Sequence, residues 1–479
     1  MLKIHFSGVK ANDQVVELRP YQSDAEIKRA EIVHEIEAAE AASIDVPRSD
    51  GVRDRLDSRF AIRRAGELSG DAHYPEFPER ASLDHRPFPV STSRKGLQVQ
   101  MIDDALALGI RHATLNVNLA ALIDPPSTEI SSGSADAIHA KVDDPDSSFV
   151  SFEFSGKVYR FRKAAIDSLD QQVHQLSSAG VHVYLILLNY INADSRVDEL
   201  MRHPDCPRPP INQISAFNLK TPEGTDWYRA ICSFLAARYS ASDSSKGRVV
   251  GYIVGNEVNS HAYWYAMGPA EPERVIDEYH RALRVAHVAV RRASSTARVY
   301  ISLDHFWTGK IGNDSQAAFG GKQLVDSLTQ LSLRSGNFDW HVAHHPYPEN
   351  LFEPRSWLDR TATSSPETER ITFKNLDQLS NYLRQPDLLF DGRPRRIILS
   401  EQGFHSPNGP EGLSYQVEGF KYAWKQIHAV DGIDAFILHR HVDHAHEGGL
   451  NLGLWTRQPD SIATPADRKP LYEVFRTAE

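Results

Sequence analysis

Two glutamates in this sequence follow short apolar segments. Residues 251–254 are apolar and lead into Asn256 and Glu257, and residues 397–399 are apolar and lead into Ser400 and Glu401. Two carboxyl groups that face each other can divide the work of bond cleavage, one as a proton donor and the other as a carboxylate. The fold must bring these two segments together if the glutamates act as a pair.

Length and composition permit a large globular enzyme. The chain has 479 residues, of which 41% are hydrophobic and 24% are charged, and such values are ordinary for globular proteins. The net charge of −10 argues against a nucleic-acid partner, which usually requires a basic surface. A barrel of about 250 to 400 residues with an appendage fits this length.

Cysteine content and the absence of long apolar segments narrow the cellular context. Cys206 and Cys232 are too few for a disulfide framework, so we expect two unpaired structural cysteines, with one bridge as the alternative. No apolar run is long enough to span a bilayer, so no membrane partner is expected. No signal peptide is recognised, which leaves a cytoplasmic protein or a secreted one whose signal has been removed. The oligomeric state is left open.

Residues 1–87 are interpreted as a small α+β appendage. Residues 15–20 and 60–62 have the apolar and β-branched character of strands. Ser23 and Glu26 form the spacing of a capping box, which predicts a charged helix that continues to about Ala42.

Residues 88–479 show a regular alternation of amphipathic helices and apolar strands. Strands are predicted near residues 110–117, 181–188, 249–254, 298–303, 338–343, 396–400 and 433–439. An eighth strand is placed at residues 88–90, before a helix that starts near Leu97. Eight βα units predict an α/β fold, a closed (β/α)8 barrel, with an open doubly wound sheet as the alternative.

Insertions interrupt this alternation. Residues 149–154 and 158–161 flank Ser155-Gly156, which predicts a β-hairpin insertion near residues 148–163. Long loops are predicted at residues 124–148 and 350–395, and we expect them to fold over the carboxyl ends of the strands.

At its strand ends the chain resembles the retaining glycoside hydrolases of clan A. Residues 255–257 (Gly-Asn-Glu) match the motif with the acid/base glutamate after barrel strand four, and residues 400–403 (Ser-Glu-Gln-Gly) match the nucleophile motif after strand seven. Residues 345–347 (His-Pro-Tyr) match a His-x-Tyr after strand six. The chain is also similar to a largely unassigned bacterial family of such barrels, so no substrate follows from the resemblance.

The resemblance implies a role for each matching residue. Glu401 would be the nucleophile and Glu257 the acid/base, without a cofactor. Tyr347 would hold Glu401 in line, Asn256 would bind the sugar 2-hydroxyl, and His345 is placed among the substrate-binding residues.

The sequence departs from the clan pattern at two strand ends. Many members have a tryptophan after strand eight, where this chain has His439, Arg440 and His441, and an arginine after strand two, where it has Asn116. We expect residues 439–441 to form a polar floor that binds substrate hydroxyls. Arg440 is the best candidate for binding a carboxylate or sulfate, because a guanidinium binds such groups bidentately.

Four further side chains are candidates for substrate binding. Trp264 and Trp307 lie close behind strand ends, where an indole can stack on a sugar, although core packing explains a lone tryptophan equally well. Asn189 ends a predicted strand and could bind a hydroxyl or form a turn. His405 lies in the loop after strand seven.

These observations predict a retaining glycoside hydrolase that acts on an oligosaccharide or a polysaccharide chain end. Two rival classes remain. A metal-dependent barrel hydrolase would use the histidines of residues 439–446 with His344, His345 and His405 as ligands. A non-catalytic carbohydrate-binding barrel would keep the aromatic and histidine residues without requiring either glutamate.

Overall fold

The computed structural model describes residues 1–37, 43–49, 54–76, 85–125, 148–242 and 245–479. The strands are β1 Leu2–His5, β2 Gln14–Leu18, β3 Glu31–Glu35, β4 Ser43–Val46, β5 Arg59–Arg64, β6 Glu67–His73, β7 Lys95–Gln98, β8 His112–Asn118, β9 Phe149–Phe154, β10 Lys157–Arg162, β11 His182–Tyr190, β12 Ile214–Ser215, β13 Val249–Val254, β14 Arg298–Leu303, β15 Trp340–His344, β16 Ile397–Gln402, β17 Ile433–Leu438, β18 Trp455–Arg457 and β19 Pro465–Arg468. The helices are α1 Ile102–Ala107, α2 Leu119–Leu122, α3 Lys163–Ser178, α4 Ser195–Met201, α5 Pro222–Tyr239, α6 His261–Trp264, α7 Pro272–Ala293, α8 Gly321–Ser335, α9 Asp377–Tyr382, α10 Pro410–Ala429 and α11 Pro470–Thr477.

Eight parallel strands form a closed (β/α)8 barrel. In chain order they are β7, β8, β11, β13, β14, β15, β16 and β17, which we number one to eight. The ring closes because β17 pairs with β7, where Leu438 lies opposite Leu97. The prediction of a barrel is confirmed, and the open doubly wound sheet is wrong because such a sheet would leave two edges.

The barrel strands are apolar because both of their faces are buried. The inward face contributes one cluster of side chains, among them Ile186, Ile253, Tyr300 and Ile398. Gly251 makes room for this cluster, since a Cβ there would lie 2.6 Å from the Tyr184 ring. The outward faces pack against the surrounding helices in a second, larger cluster. Seven strands were therefore visible in the sequence as apolar runs.

The predicted first strand is wrong. Residues 88–90 form no strand; Phe88 packs against the apolar interior cluster, while Val90 is exposed. Strand one is Lys95–Gln98, so Leu97 belongs to a strand, and the following helix begins only at Ile102. This strand has the sequence Lys-Gly-Leu-Gln and is too polar to be recognised as an apolar run.

The insertion after strand two contains the predicted hairpin. β9 and β10 pair antiparallel, and the two turn residues, Ser155 and Gly156, have φ of 50° and 73°. This positive-φ pair is typical of tight hairpin turns. Phe161 stacks on Phe234 of α5 with ring centroids 4.0 Å apart, which fixes the hairpin to the barrel. Most of the predicted loop at 124–148 lies outside the described residues.

The amino-terminal segment forms small antiparallel sheets. Strand β2 lies between β3 and β5, and β6 pairs with β5. The capping box at Ser23 is present, but it opens only a 3₁₀ helix over Asp24–Arg29, and β3 follows at once. The long helix predicted to Ala42 is therefore wrong.

The amino-terminal sheets pack against barrel helices α5 and α7. The Arg229 side chain of α5 donates to Asp57 at 2.6 Å, and both side chains are buried. Arg281 of α7 donates to the Pro20 carbonyl at 2.7 Å, and Val288 joins an apolar cluster with Phe60. Among the described residues, no helix combines the length and the apolar composition needed to cross a bilayer.

Candidate active site

Glu257 lies just beyond β13, at the carboxyl end of barrel strand four. Its backbone adopts φ 40° and ψ 54°, a left-handed conformation that is uncommon outside glycine and concentrates at functional sites. Gly255 before it has φ 75°, and a Cβ there would lie 3.0 Å from the Tyr265 ring. The N–H of Glu257 donates to Ser302 Oγ at 2.9 Å, so the end of β14 holds this turn.

Asp304 holds the segment that follows Glu257. Asn259 Nδ2 donates to its carboxylate at 2.5 Å, the Ser260 hydroxyl donates to the other oxygen, and the Phe306 N–H donates at 2.8 Å. Burial, and secondly the charge of Glu257, raise the pKa of Asp304 to about 7, although the bonds from Ser260 and Asn259 oppose this. Glu257 therefore has a second buried carboxyl group as its neighbour.

His345 connects the two sequence motifs. Its Nδ1 lies 2.8 Å from Glu257 Oε1, and its Nε2 lies 3.0 Å from the hydroxyl of Ser400, which precedes Glu401. Burial acts to lower the pKa of His345, but the hydrogen bond with Glu257 and the charges of Glu401, Glu257 and Asp304 raise it above its usual value. The imidazole is thus held between the two glutamate-bearing strands.

Tyr347 contacts the second glutamate. Its hydroxyl donates to Glu401 Oε1 at 3.1 Å, which is the contact expected from the sequence. Glu401 lies within β16, where the pairing with β17 is irregular between Leu399 and Gln402. Burial and then the charge of Glu401 raise the pKa of Tyr347 well above its usual value, so the hydroxyl keeps its proton.

A cavity of about 580 Å³ opens at the carboxyl ends of the strands. Glu401, Asn256 and the half-buried Trp264 line it together with Tyr190, the last residue of β11. Its polar wall consists largely of carboxamide and histidine side chains, including Gln98, Gln100, Asn116, Asn212, His439, His441 and His444. Such a cavity offers many hydrogen-bond donors and acceptors to a ligand rich in hydroxyl groups.

The residues after strand eight form a fixed polar network at this cavity. His439 Nδ1 bonds Gln98 Oε1, His439 Nε2 lies 3.3 Å from Glu447 Oε1, and Arg440 Nη1 donates to Glu447 Oε2. Burial acts to raise the pKa of Glu447, but the hydrogen bond and charge of His439, then the charge of Arg440, lower it to about 2. Arg440 therefore already has an ionised carboxylate as its partner.

His441 borders the cavity but has structural partners at both ring nitrogens. Its Nε2 lies 2.8 Å from Asp104 Oδ2, and its Nδ1 accepts from the N–H groups of Gln100 and Met101 at 3.4 Å. Burial lowers the pKa of His441, against the hydrogen bond with Asp104. Its ring connects the strand-eight loop to helix α1.

Three of the predicted substrate-binding residues lie in the protein interior. Trp307 is 2% exposed, its indole N–H donates to the Pro366 carbonyl at 3.2 Å, and no ring face is open to a sugar. Asn189 is 1% exposed and its amide donates to the Met201 carbonyl at 2.7 Å. His405 is buried and accepts from the Asn451 N–H at 2.9 Å. None of the three lines the cavity described above, because each serves local packing or a turn.

The histidines do not converge as the metal hypothesis requires. His344 Nε2 bonds the Ile371 carbonyl, His345 pairs with Glu257, and His405 with Asn451. In the described part of the chain, no group of three or more His, Cys, Asp or Glu side chains is arranged to hold a metal ion. Cys206 and Cys232 are buried and unpaired.

Sequence reasoning overlooked Asp304, Glu447 and Tyr190. Asp304 directly follows a correctly predicted strand, and Tyr190 ends another, so the rule that barrel sites form at strand ends could have found both. Glu447 lies in a loop nine residues beyond the end of β17 (438 to 447), and its position beside Arg440 becomes visible only in the fold.

The family model described as "Family of unknown function (DUF5722)" matches residues 87–479. The chain belongs to this family. The match includes all eight barrel strands and both glutamates. A search of curated proteins found no match.

Several solved structures that align with this chain are glycoside hydrolases. A family 39 glycoside hydrolase from Bacteroides cellulosilyticus WH2 aligns at 13% identity and a TM-score of 0.47, covering 100% of this chain and 80% of that protein. A β-glucosidase from Pyrococcus furiosus aligns at 14% identity and a TM-score of 0.48, covering 78% of this chain and 81% of that protein. A family 1 β-glucosidase from Thermotoga maritima aligns at 12% identity and a TM-score of 0.42, covering 74% of this chain and 81% of that protein. Identities this low assign no residue, so the chemistry rests on the site's own geometry.

Proposed function

We propose that this protein is a retaining glycoside hydrolase in which Glu401 is the nucleophile and Glu257 the acid/base. The observation that carries the proposal is the segment His345–Tyr347, which contacts both glutamates. His345 bonds Glu257 and Tyr347 bonds Glu401. A single short loop thus contacts both carboxyl groups, and Glu401 lines the cavity together with Asn256, the residue before Glu257. Paired carboxyl groups are the usual catalytic groups of glycosidases.

In the first step the Glu401 carboxylate attacks the anomeric carbon while the protonated form of Glu257 gives its proton to the departing oxygen. A bond forms between Glu401 and the sugar, and the glycosidic bond breaks. The Tyr347 hydroxyl occupies Oε1 of Glu401, which leaves Oε2 for the attack. This hydrogen bond also restrains the carboxylate in a single orientation, which lowers the entropic part of the barrier.

In the second step Glu257 removes a proton from water, and the resulting oxygen nucleophile displaces Glu401 from the sugar. The two displacements together preserve the anomeric configuration. The contact with His345 occupies Glu257 Oε1, which leaves Oε2 to protonate the leaving group in the first step and to accept a proton from water in the second. Each glutamate ends the cycle in its starting protonation state.

The proposal is tested first by trapping the intermediate. A panel of 2-deoxy-2-fluoro glycosides with good leaving groups should add one sugar mass to the protein, and peptide mapping should place it on Glu401. Glu401→Ala should abolish turnover, while Glu411→Ala, an exposed helix position, should leave it unchanged. Turnover that persists without Glu401, or NMR evidence of an inverted product, would remove the mechanism.

The acid/base role has its own signature. Glu257→Ala should retain more activity on aryl glycosides with good leaving groups than on natural leaving groups, because only the latter require protonation. Azide should restore the rate by replacing water in the second step. Equal losses on both substrate classes would contradict this role. Binding of sugars without any turnover would identify a carbohydrate-binding barrel instead.

A further inference from the structure

The charged side chains that line the cavity beside Glu401 determine which substrates can bind there. Its lining includes two carboxylates, Glu401 and Glu447, one guanidinium, Arg440, and the imidazole of His439, whose charge acts on Glu447. The guanidinium is committed to Glu447, whose oxygen accepts from Nη1. His439 bonds the other Glu447 oxygen, so an anionic group on a substrate would meet the Glu401 carboxylate and cationic groups that are already paired with Glu447.

The Glu447 carboxylate is a fixed acceptor at the cavity wall. His439 and Arg440 each occupy one of its two oxygens, and Gln98 in turn fixes His439. The Glu447 side chain remains 23% exposed. An ionised carboxylate offers about four acceptor positions, so two protein donors leave room for further donors from a ligand. Adjacent sugar hydroxyls have the spacing to reach both oxygens.

The surrounding wall also suits an uncharged ligand. Gln98, Asn116 and Asn256 present carboxamides to the cavity, and Gln98 Nε2 donates to Asn116 Oδ1 at 3.1 Å. Carboxamides both donate and accept, as hydroxyl groups do. The indole of Trp264 and the ring of Tyr190 add apolar faces against which a sugar ring can stack.

We propose that Glu447 is a specificity-determining residue that binds neighbouring hydroxyls of an uncharged sugar and excludes uronic acids and sulfated sugars. The inference rests on the proposed function and adds the substrate class. It also replaces the expectation that Arg440 binds a substrate carboxylate or sulfate: Arg440 orients Glu447.

The experiment compares neutral and anionic probes on matched variants. Wild-type, Glu447→Gln, Glu447→Asp and the exposed control Glu411→Gln are assayed with 4-nitrophenyl glycosides of neutral hexoses and of the matching uronic acids, in both anomeric configurations. Binding is measured separately by calorimetry on a Glu257→Gln background, with neutral gluco-, galacto-, manno- and xylo-oligosaccharides and with uronic-acid oligosaccharides. Thermal unfolding verifies that each variant is folded.

Each neutral hexose is compared with its matching uronic acid. For the pair that wild type uses best, kcat/KM and affinity should both be at least about tenfold higher for the neutral sugar than for the uronic acid. Glu447→Gln should lower kcat/KM and affinity for that neutral sugar about 10- to 100-fold, as expected for the loss of hydrogen bonds to a charged group. The variant should also discriminate less between the neutral sugar and the uronic acid, because Arg440 is released from Glu447. Glu447→Asp should weaken neutral binding but keep the exclusion of uronic acids. The control should match wild type.

Equal or better use of the uronic acid by wild type, or neutral binding that is unaffected by Glu447→Gln, would overturn the inference while leaving the glycosidase mechanism intact. Neutral-sugar binding that depends on Glu447, without turnover or adduct at Glu401, would overturn the proposed function and support the binding role of Glu447. A protein that binds no sugar of either kind would refute both.

Discussion

Replacing Asp304 by asparagine should change how stability depends on pH. Asp304 is buried, and burial together with the charge of Glu257 raises its pKa from 3.8 to about 7. Between these values the folded protein holds a proton that the unfolded chain releases. The free energy of unfolding therefore falls as pH rises, and the contribution present below pH 3.8 is lost by the time pH passes about 7.

The size of the effect follows from the same two values. At about 1.4 kcal/mol per pH unit, the gap between 3.8 and about 7 corresponds to roughly 4 kcal/mol. The uncharged carboxamide of the Asp304→Asn variant would carry no such penalty, and it can still accept from Asn259 and donate to Ser260. The variant should therefore match wild type near pH 4 and exceed its stability at pH 8 by several kcal/mol at most.

The assay is urea unfolding followed by tryptophan fluorescence at pH 4, 6 and 8. Wild type and the Asp304→Asn variant are compared with Asp460→Asn, which removes a carboxyl group from an exposed turn. The difference in unfolding midpoint between wild type and the Asp304 variant should grow with pH, while Asp460→Asn should show no such trend. An Asp304 variant that is less stable than wild type by the same amount at all three values would refute the reasoning.

Three further predictions concern the site and the core. Tyr347→Phe should lower kcat on glycosides about 10- to 100-fold with little change in KM, because the proposed nucleophile loses one fixed hydrogen bond; an unchanged kcat would contradict this. Trp264→Ala should weaken sugar affinity about tenfold at nearly unchanged stability, because Trp264 lines the cavity. Trp307→Ala should instead lower the free energy of unfolding by about 3–5 kcal/mol, because Trp307 is buried. Calorimetry measures the affinity and urea unfolding measures the stability. The Glu278 carboxylate lies 2.9 Å from His203 Nε2. Burial acts to raise the pKa of Glu278, but the hydrogen bond and charge of His203 lower it from 4.5 to about 2. The ionised Glu278 carboxylate, with His203 and the nearby charges of Arg281 and Lys220, should contribute roughly 3 kcal/mol above pH 4.5 that is lost as pH falls through about 2. Glu278→Gln should therefore flatten acid unfolding in that window, and an unaltered acid transition would count against this reasoning.

Some features of this protein were readable from local sequence because local physics dictates them. Strands β13 and β14 are apolar runs since both faces of a barrel strand are buried, and their predicted bounds, 249–254 and 298–303, agree with the structure. The hairpin turn at Ser155-Gly156 was equally local, because its positive-φ residues define the turn. The position of Glu257 followed from β13, and that of Glu401 followed from the strand predicted at residues 396–400.

Tertiary contacts decided what local composition could not. Strand one is Lys95–Gln98, and its buried lysine is tolerated because Nζ donates to the carbonyls of Phe475 and Arg476, at the other end of the chain. Trp307 follows a strand end just as Trp264 follows one, yet only Trp264 lines the cavity. Whether a polar or aromatic side chain after a strand reaches substrate depends on how its loop packs.

The character of Arg440 was decided in the same way. As a residue type, arginine indicates a site for anions, and the sequence alone supported that interpretation. In the fold, Glu447 approaches from further along the same loop and takes the guanidinium as its partner. The sequence by itself determined the barrel and the strand-end positions of the two glutamates, because buried strands and their ends have local signatures. Only the tertiary structure decided the charge that the cavity presents, because that charge is a sum over loops that meet in space.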